Sequence, residues 1–343
     1  MILSGNPIKA DKALKLGVVD GLLKEQTPEG RLNEAVAFLL TKKGQPRPVS
    51  AMTIPDASQP DILAKLDAAL KTSLQRRRGE IAPYRIVSCV KAAVTSKTFQ
   101  EGMDEESRLF NQLLITPESR ALQHIFFAER AAAKLPKEFD VEPVKIKQVG
   151  IIGSGLMGGG IAMCCVDVGI PALLIDVNQE FLDRGMNAIQ KNYSRSVERR
   201  SITQAQMDKR MSLIKPTLNY GDLKDCDIVI EAVFEDMKIK KEIFGRLDQV
   251  CKPGCILATN TSGLDIDQIA SATKRPEDVV GAHFFSPANV MKLLENVKGK
   301  QSSPRTISTV MEFGKRIGKV AILVGNCPGL YALLFSFAKH SAN

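Results

Sequence analysis

The sequence predicts an α/β chain organised around a doubly wound, mostly parallel sheet, and three observations carry that expectation. From Lys145 onward, short β-branched runs alternate with helical segments, the pattern of a parallel sheet covered on both faces. A glycine-rich turn stands directly between the first of those runs and a helical segment. Ahead of Lys145 the chain carries mostly helix signals and proline punctuation, so the main sheet is expected in the second half.

At 343 residues, with 44% hydrophobic and 25% charged positions, the chain is long enough for two domains and has an ordinary globular balance. No apolar stretch follows a basic start at "MILSGNPIKADKALKLG", and no run reaches bilayer-spanning length. No secretory signal and no membrane span are therefore expected, with the cytosol as default compartment. Seven cysteines (Cys89, Cys164, Cys165, Cys226, Cys251, Cys255, Cys327) lie scattered through apolar segments. Cys251 and Cys255 flank a Lys-Pro-Gly turn with no histidine or second pair nearby, so free thiols in a reducing compartment are expected and no metal site.

The formal charge of +9 asks for an anionic partner or none. Its basic clusters (Arg76 to Arg78; Lys191, Arg195, Arg199 and Arg200; Lys238, Lys240 and Lys241) are dispersed, and each is either a solvated helix face or a contact for a phosphorylated small molecule. With no tryptophan, four tyrosines and no recognisable nucleic-acid module, a base-stacking surface is not expected.

Residues 1–45 read as helix, strand, helix: "KADKALKLG" stops at Gly17, "VVDGLL" is a short apolar strand, and "LNEAVAFLL" is helical. The stretch "TKKGQPRPVSAMTIPDASQP" holds four prolines and marks a linker, opening a region that runs from 46 to 144. Within it, Leu63, Leu66, Leu70 and Leu74 form one helical stripe. "TPESRALQHIFFAER" begins a further helix with Thr116 as N-cap and Pro117 in the first turn, and its lone His124 reads as structural. From 145 to 329 the expected strands are "KQVGII", "ALLID", "CDIVIEAV", "CILATN", "VVGAHFF" and "AILVG".

The chemistry concentrates in "VGIIGSGLMGGGIA". Gly153, Gly155 and Gly158 have G-x-G-x-x-G spacing between a strand and a helix, the Rossmann-type arrangement. The first glycine permits the turn, the second admits a pyrophosphate, and the third lets helix pack on strand. Leu156 and Met157 complete the loop, whose helix N-terminus offers amides to phosphate. The next strand ends at Asp176, where a carboxylate accepts from both ribose hydroxyls and repels a 2′-phosphate, selecting NAD over NADP.

Four segments then carry a family resemblance. "VGIIGSGLMGGGIA", "DIVIEAVFEDMKIKKEIF", "NTSGL" and "GAHFFSPANVMKLLE" resemble the NAD-binding domain of the 3-hydroxyacyl-CoA dehydrogenases. The stretch "FQEGMDEESRLFNQLLITPESRALQHIFFAER" is similar to the linker preceding that domain in multifunctional fatty-acid oxidation enzymes. "ILSGNPIKADKALKLGVVDGLL" is similar to the end of their enoyl-CoA hydratase, crotonase-like domain. The resemblance implies NAD-dependent oxidation of (3S)-3-hydroxyacyl-CoA to 3-oxoacyl-CoA. It implies His283 as general base, Glu295 as the carboxylate that holds it, and Ser262 as a hydroxyl on the substrate oxygen. Ser262 also reads as a cap for the helix "DIDQIA". Glu235 and Lys240 are implied near the nicotinamide ribose, although Lys240 also reads as a solvated charge. Acyl-CoA is the implied substrate, and a thiolase-type partner or a dimer is implied for a full-length parent.

Two features depart from the family. The upstream loops and glutamates of a hydratase are not in this sequence, so no hydratase activity is expected. After "NCPG", the family continues to an asparagine that enters the active site, whereas here "LYALLFSFAKHSAN" puts Leu333 at that position. Residues 330–343 are accordingly expected to be a divergent apolar tail from a frame, splice or gene-end change, which leaves a non-catalytic NAD-binding fragment as the alternative. The terminal Ser-Ala-Asn is not the Ser-Lys-Leu address, so a peroxisomal placement rests on the resemblance alone.

Overall fold

The computed structural model describes residues 2–42, 49–54, 57–75, 79–132 and 134–327. The divergent tail, Leu333 and the Arg76 to Arg78 cluster lie outside the described residues. Contacts group the chain into two compact units that divide between Phe126 and Phe127.

The first unit is helical. Helix α1 (Ala10–Lys15) stops ahead of Gly17, which takes φ 68°, a left-handed conformation that glycine adopts without steric cost. Residues 18–23, expected as a strand, form turns and coil instead. Among the described residues of this unit there is no other strand to pair with, and a lone strand has no ladder for its amides. Helix α2 (Pro28–Thr41) is capped by Thr27, which accepts from the Gly30 amide at 3.1 Å. Helices α3 (Ile62–Leu74), α4 (Ala82–Thr95) and α5 (Phe99–Leu114) pack in sequence, with Lys91 reaching Asp67 at 2.6 Å. The leucine stripe sits on α3 as expected, with Leu66, Leu70 and Leu74 half-buried and Leu63 exposed. Helix α6 (Pro117–Ala132), which runs across the division at Phe126, has the expected cap, Thr116 accepting from the Ser119 amide at 3.2 Å, and His124 on it is exposed.

The second unit holds an eight-stranded sheet: β1 (Val149–Ile152), β2 (Ala172–Ile175), β3 (Ile214–Thr217), β4 (Ile228–Glu231), β5 (Ile256–Thr259), β6 (Val279–Phe284), β7 (Leu293–Lys298) and β8 (Val320–Gly325). The spatial order is β3-β2-β1-β4-β5-β6-β7-β8. Strands β3 through β6 run parallel, β7 runs antiparallel to β6, and β8 runs parallel to β7. The order reverses between β1 and β4, which places a ligand crevice at their carboxyl ends. Two strands were not anticipated. Strand β3 carries Lys215 and Pro216 and stands at the sheet edge, where a missing amide is tolerated. Strand β7 interrupts an apolar run with Glu295 and Asn296, both fully buried.

Helices α7 (Leu156–Asp167), α8 (Gln179–Glu198), α9 (Gln204–Ser212), α10 (Met237–Val250), α11 (Ile266–Ala270) and α12 (Pro304–Arg316) complete the unit. Successive strand residues point to opposite faces, and both faces are apolar because both are covered. Ile151, Leu174, Ile228, Ile230, Ile256 and Ala258 join one core with α7, α8 and α12. Ile152, Leu173, Ile175, Val229 and Leu257 join the other with α10 and α11. Residues 139–146, read from sequence as the end of the linker, attach to α12. Ser308 donates to the Val141 carbonyl at 2.6 Å, the Val144 amide donates to Thr309 at 3.0 Å, and Arg316 donates to the Ile146 carbonyl.

Asp227 ties the amino end of the sheet together. Its carboxylate accepts from the Lys147 and Gln148 amides at 2.7 and 3.1 Å and pairs with Lys252 at 2.6 Å. Burial pulls this carboxyl upward, but the bonds from Lys252 and the two amides outweigh it, and it is held below the usual range. A depressed carboxyl stabilises the fold above its unfolded value of about 3.9 and loses that contribution as pH falls through the folded value. Asp227→Asn is therefore expected to lower stability at neutral pH by about 1–2 kcal/mol, with the deficit shrinking below about pH 4. Urea titrations at several pH values check this.

Candidate active site at the carboxyl edge of the sheet

The glycine loop closes where backbone meets backbone. Gly153 takes φ 98°, and a Cβ there would meet the Ala232 carbonyl oxygen at 2.6 Å. A Cβ on Gly158 would overlap the Gly153 carbonyl oxygen, so helix α7 reaches the loop only because that position is bare. Gly155 has nothing within 4 Å of a built Cβ, and as the N-cap of α7 it supplies no side-chain acceptor to the first amides. A 12-residue helix thus opens toward clear space with its leading N–H groups uncapped by a side chain, which is the requirement for holding a diphosphate. Leu156 is exposed at the mouth, and Met157 turns inward against the core.

Asp176 ends β2 beside the loop. Its Oδ2 accepts from the Ser154 amide at 2.7 Å and the Ser154 hydroxyl at 2.6 Å, and its Oδ1 accepts from the Val177 amide at 2.7 Å. Uncapped amides, open space at Gly155 and a carboxylate on the adjacent strand fit a dinucleotide. Glycines would hold its phosphates and Asp176 its adenosine ribose, while the bound NAD would supply a hydride acceptor.

Around β4 and β5 lies a charged network that burial makes costly unless complete. Glu231 and Lys240 are both fully buried, and Lys240 Nζ reaches both Glu231 oxygens at 2.7 and 2.9 Å. Glu231 also accepts from Thr259 at 2.6 Å and the Val233 amide at 2.8 Å. Lys240 lies 3.6 Å from Glu235 Oε2, while Glu235 Oε1 accepts from Thr261 and from the Ser262 amide at 2.8 Å and hydroxyl at 3.2 Å. Burial raises the Glu235 carboxyl, but donation by Thr261 and Ser262 and the charge of Lys240 outweigh it and hold it below the usual range. Lys240 is therefore no solvated charge. Ser262 does not cap α11 either: Asp265 does, accepting from the Asp267 amide at 2.9 Å. The Ser262 side chain is exposed above Glu235.

His283 and Glu295 face each other across the β6–β7 hairpin, directly opposed in register. Nδ1 of His283 lies 2.9 Å from Glu295 Oε2, with the imidazole nearly buried and the carboxylate wholly so. Opposite a carboxylate the Nδ1 proton is the one retained, which leaves Nε2 as acceptor. The Phe285 ring sits 4.6 Å from the imidazole centroid, and the Phe284 amide is held by Asn260 at 2.8 Å. His283 lies near the carboxyl end of β6, on the same edge of the sheet as the glycine loop. The segment after it packs on the loop's helix, since a Cβ on Gly160 would meet Ala288 at 3.0 Å and the Asn289 amide at 3.2 Å. Lys319 donates to the Ala288 and Met291 carbonyls and fixes that segment from below.

The site thus contains Glu231, Thr259, Asn260, Thr261, Ser154 and Lys319 beyond the residues singled out from sequence. Glu231 left a signal: a carboxylate closing an otherwise apolar strand must find a cation, and Lys240 is nine residues on.

Residues 148–327 match the family described as 3-hydroxyacyl-CoA dehydrogenase, NAD binding domain. A peroxisomal bifunctional enzyme of Danio rerio is 40% identical over 337 residues, covering 96% of this chain and 45% of that protein. A peroxisomal fatty acid beta-oxidation multifunctional protein of Arabidopsis thaliana is 36% identical over 334 residues, covering 96% and 46%. The chain therefore spans about half the length of these curated relatives. Among solved structures, (S)-3-hydroxybutyryl-CoA dehydrogenase from Ralstonia eutropha aligns with TM-score 0.56 at 34% identity, covering 57% of this chain and 70% of that one. The dehydrogenase part of multifunctional enzyme 1 from C. elegans aligns with TM-score 0.52 at 34% identity, covering 59% and 48%. Sheet order, glycine loop and family match agree: the chain belongs to the 3-hydroxyacyl-CoA dehydrogenase family through its NAD-binding domain.

Proposed function

We propose that this chain carries out NAD-dependent oxidation of (3S)-3-hydroxyacyl-CoA to 3-oxoacyl-CoA within fatty-acid β-oxidation. The observation that carries the reading is the His283–Glu295 pair, held by strand register on the edge of the sheet that also bears the glycine loop. In this reading Nε2 of His283 accepts the proton of the substrate 3-hydroxyl as C3 gives up its hydride and the C–O bond becomes a carbonyl. Glu295 keeps the ring in the accepting tautomer and stabilises the imidazolium that forms. Ser262, held through its amide by Glu235, would turn its hydroxyl from Glu235 to donate to the same oxygen. Gly153, Gly155, Leu156, Met157, Gly158 and Asp176 would hold the dinucleotide, with Glu235 and Lys240 beneath the nicotinamide ribose.

The relatives' names support acyl-CoA substrates and a peroxisomal setting over the cytosol. The division in this reading is a crotonase-like segment at 1–45, a linker at 46–144, the NAD-binding domain at 145–329 and a divergent tail at 330–343, and the family match over 148–327 supports the third of these. Because the product is a 3-oxoacyl thioester, a thiolase-type partner would consume it. A second reading is a chain that binds NAD without turnover, and the exposure of Phe234, Val290 and Met291, on the segments that follow β4 and β6, favours it, since apolar side chains left open there fit a covering partner. The test is NADH formation from NAD and a (3S)-3-hydroxyacyl-CoA. Turnover that the 3R epimer does not support is expected, and NAD binding with no turnover would leave the second reading.

A further inference from the structure

The serine between the first two glycines does a task that the glycine spacing does not require. Ser154 is buried, and both its amide and its hydroxyl point at one oxygen of Asp176, at 2.7 and 2.6 Å. The hydroxyl oxygen also lies 2.9 Å from the Phe181 carbonyl in the first turn of α8. A hydroxyl has a single proton, and at 2.6 Å from a carboxylate oxygen that proton must lie between the two oxygens. The serine side chain fits there because α8 presents Gly185 to it: a Cβ at 185 would stand 2.6 Å from Ser154 Cβ and 2.7 Å from its Oγ. The remaining Asp176 oxygen accepts from the Val177 amide at 2.7 Å.

The carboxylate is therefore held at both ends. Of its roughly four acceptor positions, three are filled from within the chain, and the one left is on Oδ1. Two consequences follow. With Oδ2 filled by Ser154, Asp176 would serve the ribose through one hydrogen bond accepted by Oδ1, fewer than the two expected from sequence. Rotation of the carboxylate away from the ribose would break three hydrogen bonds, so the site cannot relax to admit a 2′-phosphate, whose charge would face a fixed negative group.

We propose that Ser154 is a specificity-determining positioning residue, which locks Asp176 so that the site takes the 2′-hydroxyl dinucleotide and rejects the 2′-phosphorylated one. The proposal rests on the reading of Asp176 as the ribose acceptor, and the experiment separates the two. Binding of NAD and NADP, without acyl substrate, is measured calorimetrically for the full chain and for Ser154→Ala, Ser154→Gly and Asp176→Ala, with thermal melts run beside each.

Asp176→Ala is expected to lower the NAD-over-NADP preference by at least about a hundredfold, removing both the ribose bond and the repulsion. Ser154→Ala is expected to lower it by about tenfold, the worth of one hydrogen bond to a charged group, with NADP binding gaining more than NAD loses. A general loosening of the fold would weaken both cofactors together and leave the ratio unchanged. An unchanged ratio in both serine variants, with the expected drop in Asp176→Ala, would overturn the role of Ser154 alone. An unchanged ratio in Asp176→Ala would overturn the ribose reading and the proposal with it. If Ser154→Ala melts too low to assay, Ser154→Gly decides, since it leaves the backbone bond to Asp176 and relieves the contact at Gly185.

Discussion

Replacing His283 with asparagine is expected to lower kcat for 3-hydroxyacyl-CoA oxidation by about a hundred- to ten-thousandfold, the range for losing a positioned general base. The cofactor's affinity should change little, because the hydrogen bond of the imidazole goes to Glu295 and not to the loop from Gly153 to Gly158. Asparagine keeps a polar group opposite Glu295, so the buried carboxylate retains a donor and the hairpin should keep its register. Glu295→Gln is the informative companion. It preserves shape and removes the charge proposed to stabilise the imidazolium, so kcat should fall by an intermediate factor with little change in KM. Steady-state kinetics with each substrate varied, beside NAD titrations, separate these outcomes. Equal losses of NAD affinity and kcat in both variants would mean that the pair supports the fold and not the chemistry.

The second large effect concerns Lys240. Lys240→Met leaves the Glu231 carboxylate fully buried with only Thr259 and the Val233 amide as donors, and it is expected to destabilise the second unit by about 3–5 kcal/mol. The double variant Glu231→Leu with Lys240→Met removes both charges and should recover most of that loss, since a buried ion pair replaced by apolar side chains of similar volume is often neutral. Activity should not recover in parallel. Without the Lys240 charge 3.6 Å away, Glu235 keeps the Thr261, Ser262 and Gly263 donors, and the Ser262 hydroxyl loses a fixed reference. Denaturant melts and kcat for the wild type, the single variants and the pair form a double-mutant cycle. Parallel recovery of stability and kcat would show that the network acts through stability alone.

The fold and the site were legible in the sequence to different depths. The six strands that alternate with helices were visible because each is a short run of apolar, often β-branched residues bounded by turns. The glycine loop was visible because its spacing, strand and helix occur together. Strand β7 was not visible, because the carboxylate and amide inside it break the apolar run; in the fold His283 meets the carboxylate and Met311 accepts from the amide nitrogen. The resemblance implies that Glu295 holds His283, but their contact was not readable from the residues themselves, since antiparallel register across a hairpin is a property of two strands. The alternative of a solvated charge at Lys240 fails for a related reason. A lysine three residues into a basic helix looks wet until the fold shows Glu231 beneath it. The strand expected at residues 18–23 failed the other way, an apolar run with no neighbour to pair with among the described residues of its unit.

The central claim is that one imidazole, oriented by a buried carboxylate, meets the substrate oxygen beside a diphosphate held on bare helix amides. A crystal structure of the chain with NAD and a 3-oxoacyl-CoA tests it most directly. The account predicts His283 Nε2 within about 3.2 Å of the C3 oxygen, with the phosphates over Gly155. A C3 oxygen out of reach of that nitrogen, or phosphates seated away from the start of α7, would contradict it.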